Sequence, residues 1–123
     1  MCIFCQKCQE NREIIYENDL VFAIFDHYPV SKGHVLIMTK RHVATYFDTT
    51  KEERLAVDEA VFFLKSMVDR KYKPDAYNIG TNSGADAGQT IDHFHVHLIP
   101  RYHGDVNNPR GGVRGVIPSK QSY

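Results

Sequence analysis

The chain carries no excess charge of either sign: 15 lysines and arginines stand against 15 aspartates and glutamates in 123 residues, a formal net charge of zero. It therefore lacks a long-range field that would draw it to nucleic acid or to an anionic membrane surface. Any phosphate it binds must be held by local groups in a pocket rather than by a basic face. No apolar run approaches the ~20 residues needed to span a bilayer. The opening segment, Met1-Cys2-Ile3-Phe4-Cys5-Gln6-Lys7-Cys8, has no basic region followed by an apolar one. The expectation is a soluble, cytoplasmic protein without nucleic-acid or membrane partners. Repeats, charge blocks, low-complexity tracts and linkers are missing too, so 1–123 reads as one domain, long enough to bury a core unaided.

Cysteine is sparse and confined: all three lie within the first eight residues. A disulfide framework would spread its cysteines along the chain. Cys2 with Cys5, or Cys5 with Cys8, instead shows the spacing of a metal-ligand pair in a reduced compartment, against the plainer alternative of free thiols on a loose terminus.

What the chain does have is alternation. Ile14-Ile15-Tyr16 and Leu20-Val21-Phe22-Ala23-Ile24-Phe25 are β-branched and aromatic runs separated by Glu17-Asn18-Asp19, a hairpin signal. His34-Val35-Leu36-Ile37-Met38 follows the breaker segment Tyr28-Pro29-Val30-Ser31-Lys32-Gly33, and residues 76–80 and 94–99 supply two more strands. Between strands three and four the period changes. Val57, Ala60, Val61, Leu64 and Val68 form one stripe of an amphipathic helix. Thr49 or Thr50, each followed three residues later by Glu52 or Glu53, opens that helix as a capping box, and Pro74 closes it. The pattern predicts an α+β fold, an antiparallel five-stranded sheet with one long helix on one face. Residues 101–123, rich in Gly, Pro and Asn, are expected to form an irregular arm.

The chemistry concentrates in His93-Phe94-His95-Val96-His97. On a strand, successive side chains point to opposite faces, so the three imidazoles project together while Phe94, Val96 and Leu98 enter the core. A lone histidine here would be structural. Three in strict alternation point to metal binding or catalysis. Gly84-Ala85-Asp86-Ala87-Gly88-Gln89-Thr90 leads into the strand, and its glycines let backbone approach a ligand while Gln89 and Thr90 offer neutral donors. Such donors suit a phosphate better than a metal.

Gly88-Gln89-Thr90-Ile91-Asp92-His93-Phe94-His95-Val96-His97-Leu98-Ile99-Pro100-Arg101 resembles the signature of the histidine triad (HIT) family, and the match reaches back to Asn82, Lys40-Arg41-His42, Gly33-His34, Pro29 and Asp26. The resemblance implies the family's antiparallel sheet with a long helix, joined across a homodimer. It also implies a nucleotide phosphohydrolase or nucleotidyl transferase acting at an α-phosphate. His95 would be the nucleophile, with its Nδ1–H held by the His93 carbonyl, and would form a nucleotidyl-histidine intermediate that water then releases. His97, Gln89, Thr90 and His34 would surround the α-phosphate, Asn82 would lie beside the phosphates and Asp26 would accept the ribose hydroxyls.

Cys2-Ile3-Phe4-Cys5 is similar to the start of many bacterial members, and this implies a structural zinc on Cys2, Cys5, His42 and His93. The arm, with Arg110 and Arg114 spaced by glycines, resembles the branch that hydrolyses dinucleoside polyphosphates such as diadenosine tri- or tetraphosphate; either arginine would reach phosphates beyond the α position. The alternatives are an adenosine phosphoramidate hydrolase, a metal-dependent hydrolase whose metal sits on the histidine strand, and a nucleotide-binding protein with little turnover.

Overall fold

In the computed structural model, which describes residues 2–123, the five strands run β1 (Tyr16–Glu17), β2 (Val21–Phe25), β3 (Val35–Thr39), β4 (Ala76–Gly80) and β5 (His95–Arg101). They form one antiparallel sheet in the order β1-β2-β3-β5-β4. The α+β architecture expected from the periodicity is the one observed.

Strands β2 and β3 are buried along almost their whole length because both faces of the sheet are covered, which explains why they read as continuous apolar runs rather than alternating ones. Val21, Ala23, Val35 and Ile37 face one side, with Phe94, Val96 and Leu98. That face packs on the long helix α2 (Lys51–Tyr72). Phe22, Ile24, Leu36 and Met38 face the other side and meet Phe4. Phe4 belongs to a second helix, α1 (Ile3–Glu10), which the sequence reading had as a metal-binding segment or loose terminus. Cys2 caps it, its sulfur accepting the Cys5 N–H at 3.2 Å.

Helix α2 opens at Thr50, not Thr49: Thr50 Oγ1 accepts the Glu53 N–H and Glu53 Oε1 accepts the Thr50 N–H. The buried stripe is Ala56, Ala60, Leu64 and Val68, with Val57 and Val61 only half-buried at its margin. Glu53, also buried, is held by Arg41 through two bonds of 2.8 and 3.2 Å. The arm after β5 is less irregular than expected. It carries two short 3-10 helices, Gly112–Val116 and Pro118–Lys120, and folds back toward β4. No helix among the described residues is long and apolar enough to cross a membrane.

Candidate active site and metal centre

The pairing of β5 with β3 sets Met38 opposite His95 and Leu36 opposite His97, so the histidines share the face covered by α1. Phe94, Val96 and Leu98 point the other way into the core, as alternation requires. His93 precedes the strand and is fully buried at 0% exposure.

Carbonyl oxygens only accept, so two of the tautomers follow from geometry. His93 Nε2–H donates to the Thr39 carbonyl at 2.7 Å, which leaves its Nδ1 unprotonated. His95 Nδ1–H donates to the His93 carbonyl at 2.8 Å, which leaves its Nε2 with a free lone pair. Thr81 Oγ1 donates to the carbonyl of His95 itself at 2.7 Å and so pins the strand at that residue.

The third tautomer comes from a backbone donor. The Val30 N–H donates to His34 Nδ1 at 3.1 Å, so the proton of His34 is on Nε2. That nitrogen lies 2.9 Å from His97 Nδ1 and 3.4 Å from Asp26 Oδ2. His97 Nδ1 accepts, and His97 carries its own proton on Nε2. Burial, reinforced by His95 and His34, holds His97 down to about 4; burial likewise lowers His34, opposed by Asp26. The pair is neutral at pH 7. The site thus offers one nitrogen lone pair, on His95, beside one N–H donor, on His97, with ring centroids 5.2 Å apart.

The remaining predicted groups divide. Asn82, His34 and His97 line a cavity of about 400 Å³ together with Val30, Ile79, Ile99, Val113 and Val116. Asp26 accepts the Tyr28 N–H at 2.8 Å through its other oxygen. The side chain of Gln89 is buried and turned inward: its amide donates to the Ala44 and Ile91 carbonyls at 2.6 and 3.0 Å, and its oxygen accepts the Gly84 N–H at 2.8 Å. Gln89 therefore shapes the glycine loop, while Thr90 beside it is exposed. Arg110 and Arg114 do not line the cavity. Their guanidinium carbons lie 4.7 and 4.8 Å from the ring centroid of Tyr123, and Arg114 also donates to the Lys120 carbonyl at 3.0 Å. Val113 and Val116 of the arm take their place at the cavity wall, a contribution that glycine-arginine composition does not signal.

Cys2, Cys5, His42 and His93 converge on a second centre. His93 Nδ1 lies 3.2 Å from Cys2 Sγ, 3.5 Å from Cys5 Sγ and 3.2 Å from His42 Nδ1, and Cys5 Sγ is 3.3 Å from His42 Nδ1. Ordinary bond lengths put tetrahedral zinc ligands about 3.3 Å apart for two nitrogens and about 3.5 Å for nitrogen and sulfur. The residues fit the ion. The Thr39 carbonyl fixes the His93 tautomer that presents Nδ1 as ligand. Burial and the adjacent Cys2 push the Cys5 thiol up to about 11, and a dication supplies the field that ionises such a thiol. Cys8 is not among these four and packs instead against the core cluster that holds Phe4, so the convergence favours Cys2 with Cys5. The three triad histidines do not share one metal cluster either. His93 belongs to the cysteine centre, His97 groups with Asp26 and His34, and His95 belongs to neither.

Residues 7–104 match the HIT domain family. The chain is 37% identical over 112 residues to an uncharacterised HIT-like protein of Methanocaldococcus jannaschii, covering 85% of this chain and 82% of that one. It is 36% identical over 96 residues to a bis(5'-adenosyl)-triphosphatase of Dictyostelium discoideum, covering 78% of this chain and 64% of the relative. Among solved structures, a zinc-bound histidine triad family protein from Mycobacterium smegmatis superposes with a TM-score of 0.79 at 29% identity, covering 87% of this chain and 79% of that one. With the triad, the fold and these matches in agreement, the chain belongs to the HIT domain family.

Proposed function

We propose that this protein hydrolyses a nucleotide at its α-phosphorus through a nucleotidyl-His95 intermediate. The observation that carries the reading is the bond from His95 Nδ1–H to the His93 carbonyl, which frees Nε2 to attack. In the first step the Nε2 lone pair forms a bond to phosphorus, and the bond to the leaving group breaks with its electron pair. His97 Nε2–H stabilises the developing negative charge by hydrogen bonding. In the second step water attacks phosphorus, the N–P bond returns its pair to His95, and the proton from water passes to solvent. The products are a nucleoside monophosphate and the leaving group. Asp26 would take the ribose hydroxyls, and Asn82, Thr90 and the backbone of the loop that Gln89 shapes would surround the phosphates.

A dinucleoside polyphosphate is the substrate supported by the name of the Dictyostelium relative. A second reading is favoured by one observation: the cavity beside His97 has no lysine or arginine in its lining, and Arg110 and Arg114 stack on Tyr123 instead. A leaving group bearing little charge, as in an adenosine phosphoramidate, suits those walls. Turnover of diadenosine triphosphate, diadenosine tetraphosphate and a lysyl-adenylate amide, measured side by side, ranks the two. His95→Ala should bind AMP and turn over none of them; undiminished hydrolysis refutes the mechanism.

The zinc on Cys2, Cys5, His42 and His93 would be structural, closing a four-ligand site that leaves no position for substrate. A homodimer is supported by β4, an edge strand whose Ile79 is 51% exposed, and by the neighbouring Phe62 of α2 at 70%. With Val57 and Val61 they border a cleft of about 350 Å³ that a second copy would fill.

A further inference from the structure

We propose that Phe4 is a positioning residue for the nucleophile, a role that rests on His95 being the attacking group. Phe4 is 3% exposed, so it is a fixed part of the interior rather than a free wall of the cavity. Its ring meets His95 edge-on, with centroids 5.1 Å apart and planes at 68°, and meets His93 at 5.7 Å and 88°. His95 also meets the His97 ring, with centroids 5.2 Å apart and planes at 63°.

The bond to the His93 carbonyl holds one nitrogen and sets the tautomer. It does not by itself set the tilt of the imidazole about that bond, and the direction of the Nε2 lone pair depends on the tilt. Contacts with two rings supply the missing constraint. Of these, His97 is itself part of the phosphate site, which leaves Phe4 as the passive support. Phe22, Ile24, Leu36 and Met38 back Phe4, so its own ring has little room to move. The sequence places Phe4 between Cys2 and Cys5, and His93, which it also touches, belongs to the same ligand set. The metal centre and the nucleophile thus lean on one phenyl ring.

Misplacing a reacting atom by about 1 Å costs on the order of a hundredfold in rate, whereas a residue that only stabilises the fold changes how much protein is active and not how fast it reacts. The test is single-turnover release of a fluorescent arylamine joined to AMP through phosphorus, with KM measured alongside. In the wild-type chain, a His95–AMP adduct trapped by acid-free quench and located by mass spectrometry checks the nucleophile; its absence defeats the functional reading independently of Phe4. With the adduct present, Phe4→Ala should lower the single-turnover rate constant about 10- to 100-fold and leave KM within about threefold. Phe4→Leu, which keeps most of the bulk, should recover to within about threefold of wild type, and Phe4→Val carries the comparison if the alanine chain does not fold. A normal rate constant with reduced amplitude overturns the proposal, because Phe4 is then only structural. A large rise in KM at unchanged rate constant overturns it as well, because Phe4 then contacts substrate.

Discussion

His34 donates its Nε2–H to His97 Nδ1 across 2.9 Å, and the direction of that bond is fixed from outside the pair by the Val30 N–H on His34 Nδ1. A backbone amide on the loop after β2 therefore decides which nitrogen of His97 bears a proton beside His95.

His34→Ala should release that choice. With no donor at Nδ1, His97 can flip tautomer and stop presenting Nε2–H, and the rate of the chemical step should fall about 10- to 100-fold. Nitrogen chemical shifts of His97 in labelled protein read the tautomer directly. A proton on Nδ1 in the wild type would refute the relay.

Acid should weaken the fold before carboxylates titrate. His97 is held neutral down to about 4 by burial, while an imidazole in the unfolded chain has a pKa of about 6.5. Between those values the unfolded chain binds more protons. Stability is therefore complete above about pH 6.5 and is lost as the pH falls toward 4, by up to about 3 kcal/mol from this residue. His34, also lowered by burial, acts in the same direction. Urea midpoints at pH 7 and pH 5 check this, and His97→Asn should flatten the difference.

Protein purified without added metal should contain about one zinc per chain, and prolonged chelation should lower its melting temperature. Cys5→Ser should bind less than about half an equivalent, while Cys8→Ser should bind the full amount. A wild-type value below half an equivalent, with unchanged melting in chelator, would remove the metal from this centre.

Phe62→Glu should convert the proposed dimer into a monomer by placing a charge on the exposed border of the cleft beside β4. Sedimentation equilibrium measures it, and a wild-type chain that is monomeric at micromolar concentration would end the dimer reading.

The histidine face was legible because a strand has a period of two: the positions of His93, His95 and His97 alone separate them from Phe94 and Val96. The long helix was legible too: Ala60, Leu64 and Val68 of the expected stripe are buried, while Val57 and Val61 lie at its margin and Ala56 takes the central place, because hydropathy does not say which face is flush with the sheet. Helix α1 left little trace. It spans eight residues, has a polar composition and is capped by a cysteine sulfur, all weak signals. The meeting of Cys2 and Cys5 with His42 and His93 spans up to 91 residues and became visible in sequence only through family resemblance. The inward turn of Gln89 and the outward stacking of Arg110 and Arg114 depend on backbone carbonyls and an aromatic ring that no local pattern announces.

The arm that carries Val113 and Val116 is closed by Gly111, whose φ of +86° favours glycine and where a Cβ would overlap the backbone oxygen of Gln121. Any other residue there should displace Gln121 and with it the arm that brings Val113 and Val116 to the cavity wall, whereas the hydrogen bonds on His95 and His97 come from His93, Thr81 and His34, outside the arm. On the proposed function, the wall contributed by the arm and the nitrogen that attacks are thus held in place by different parts of the chain.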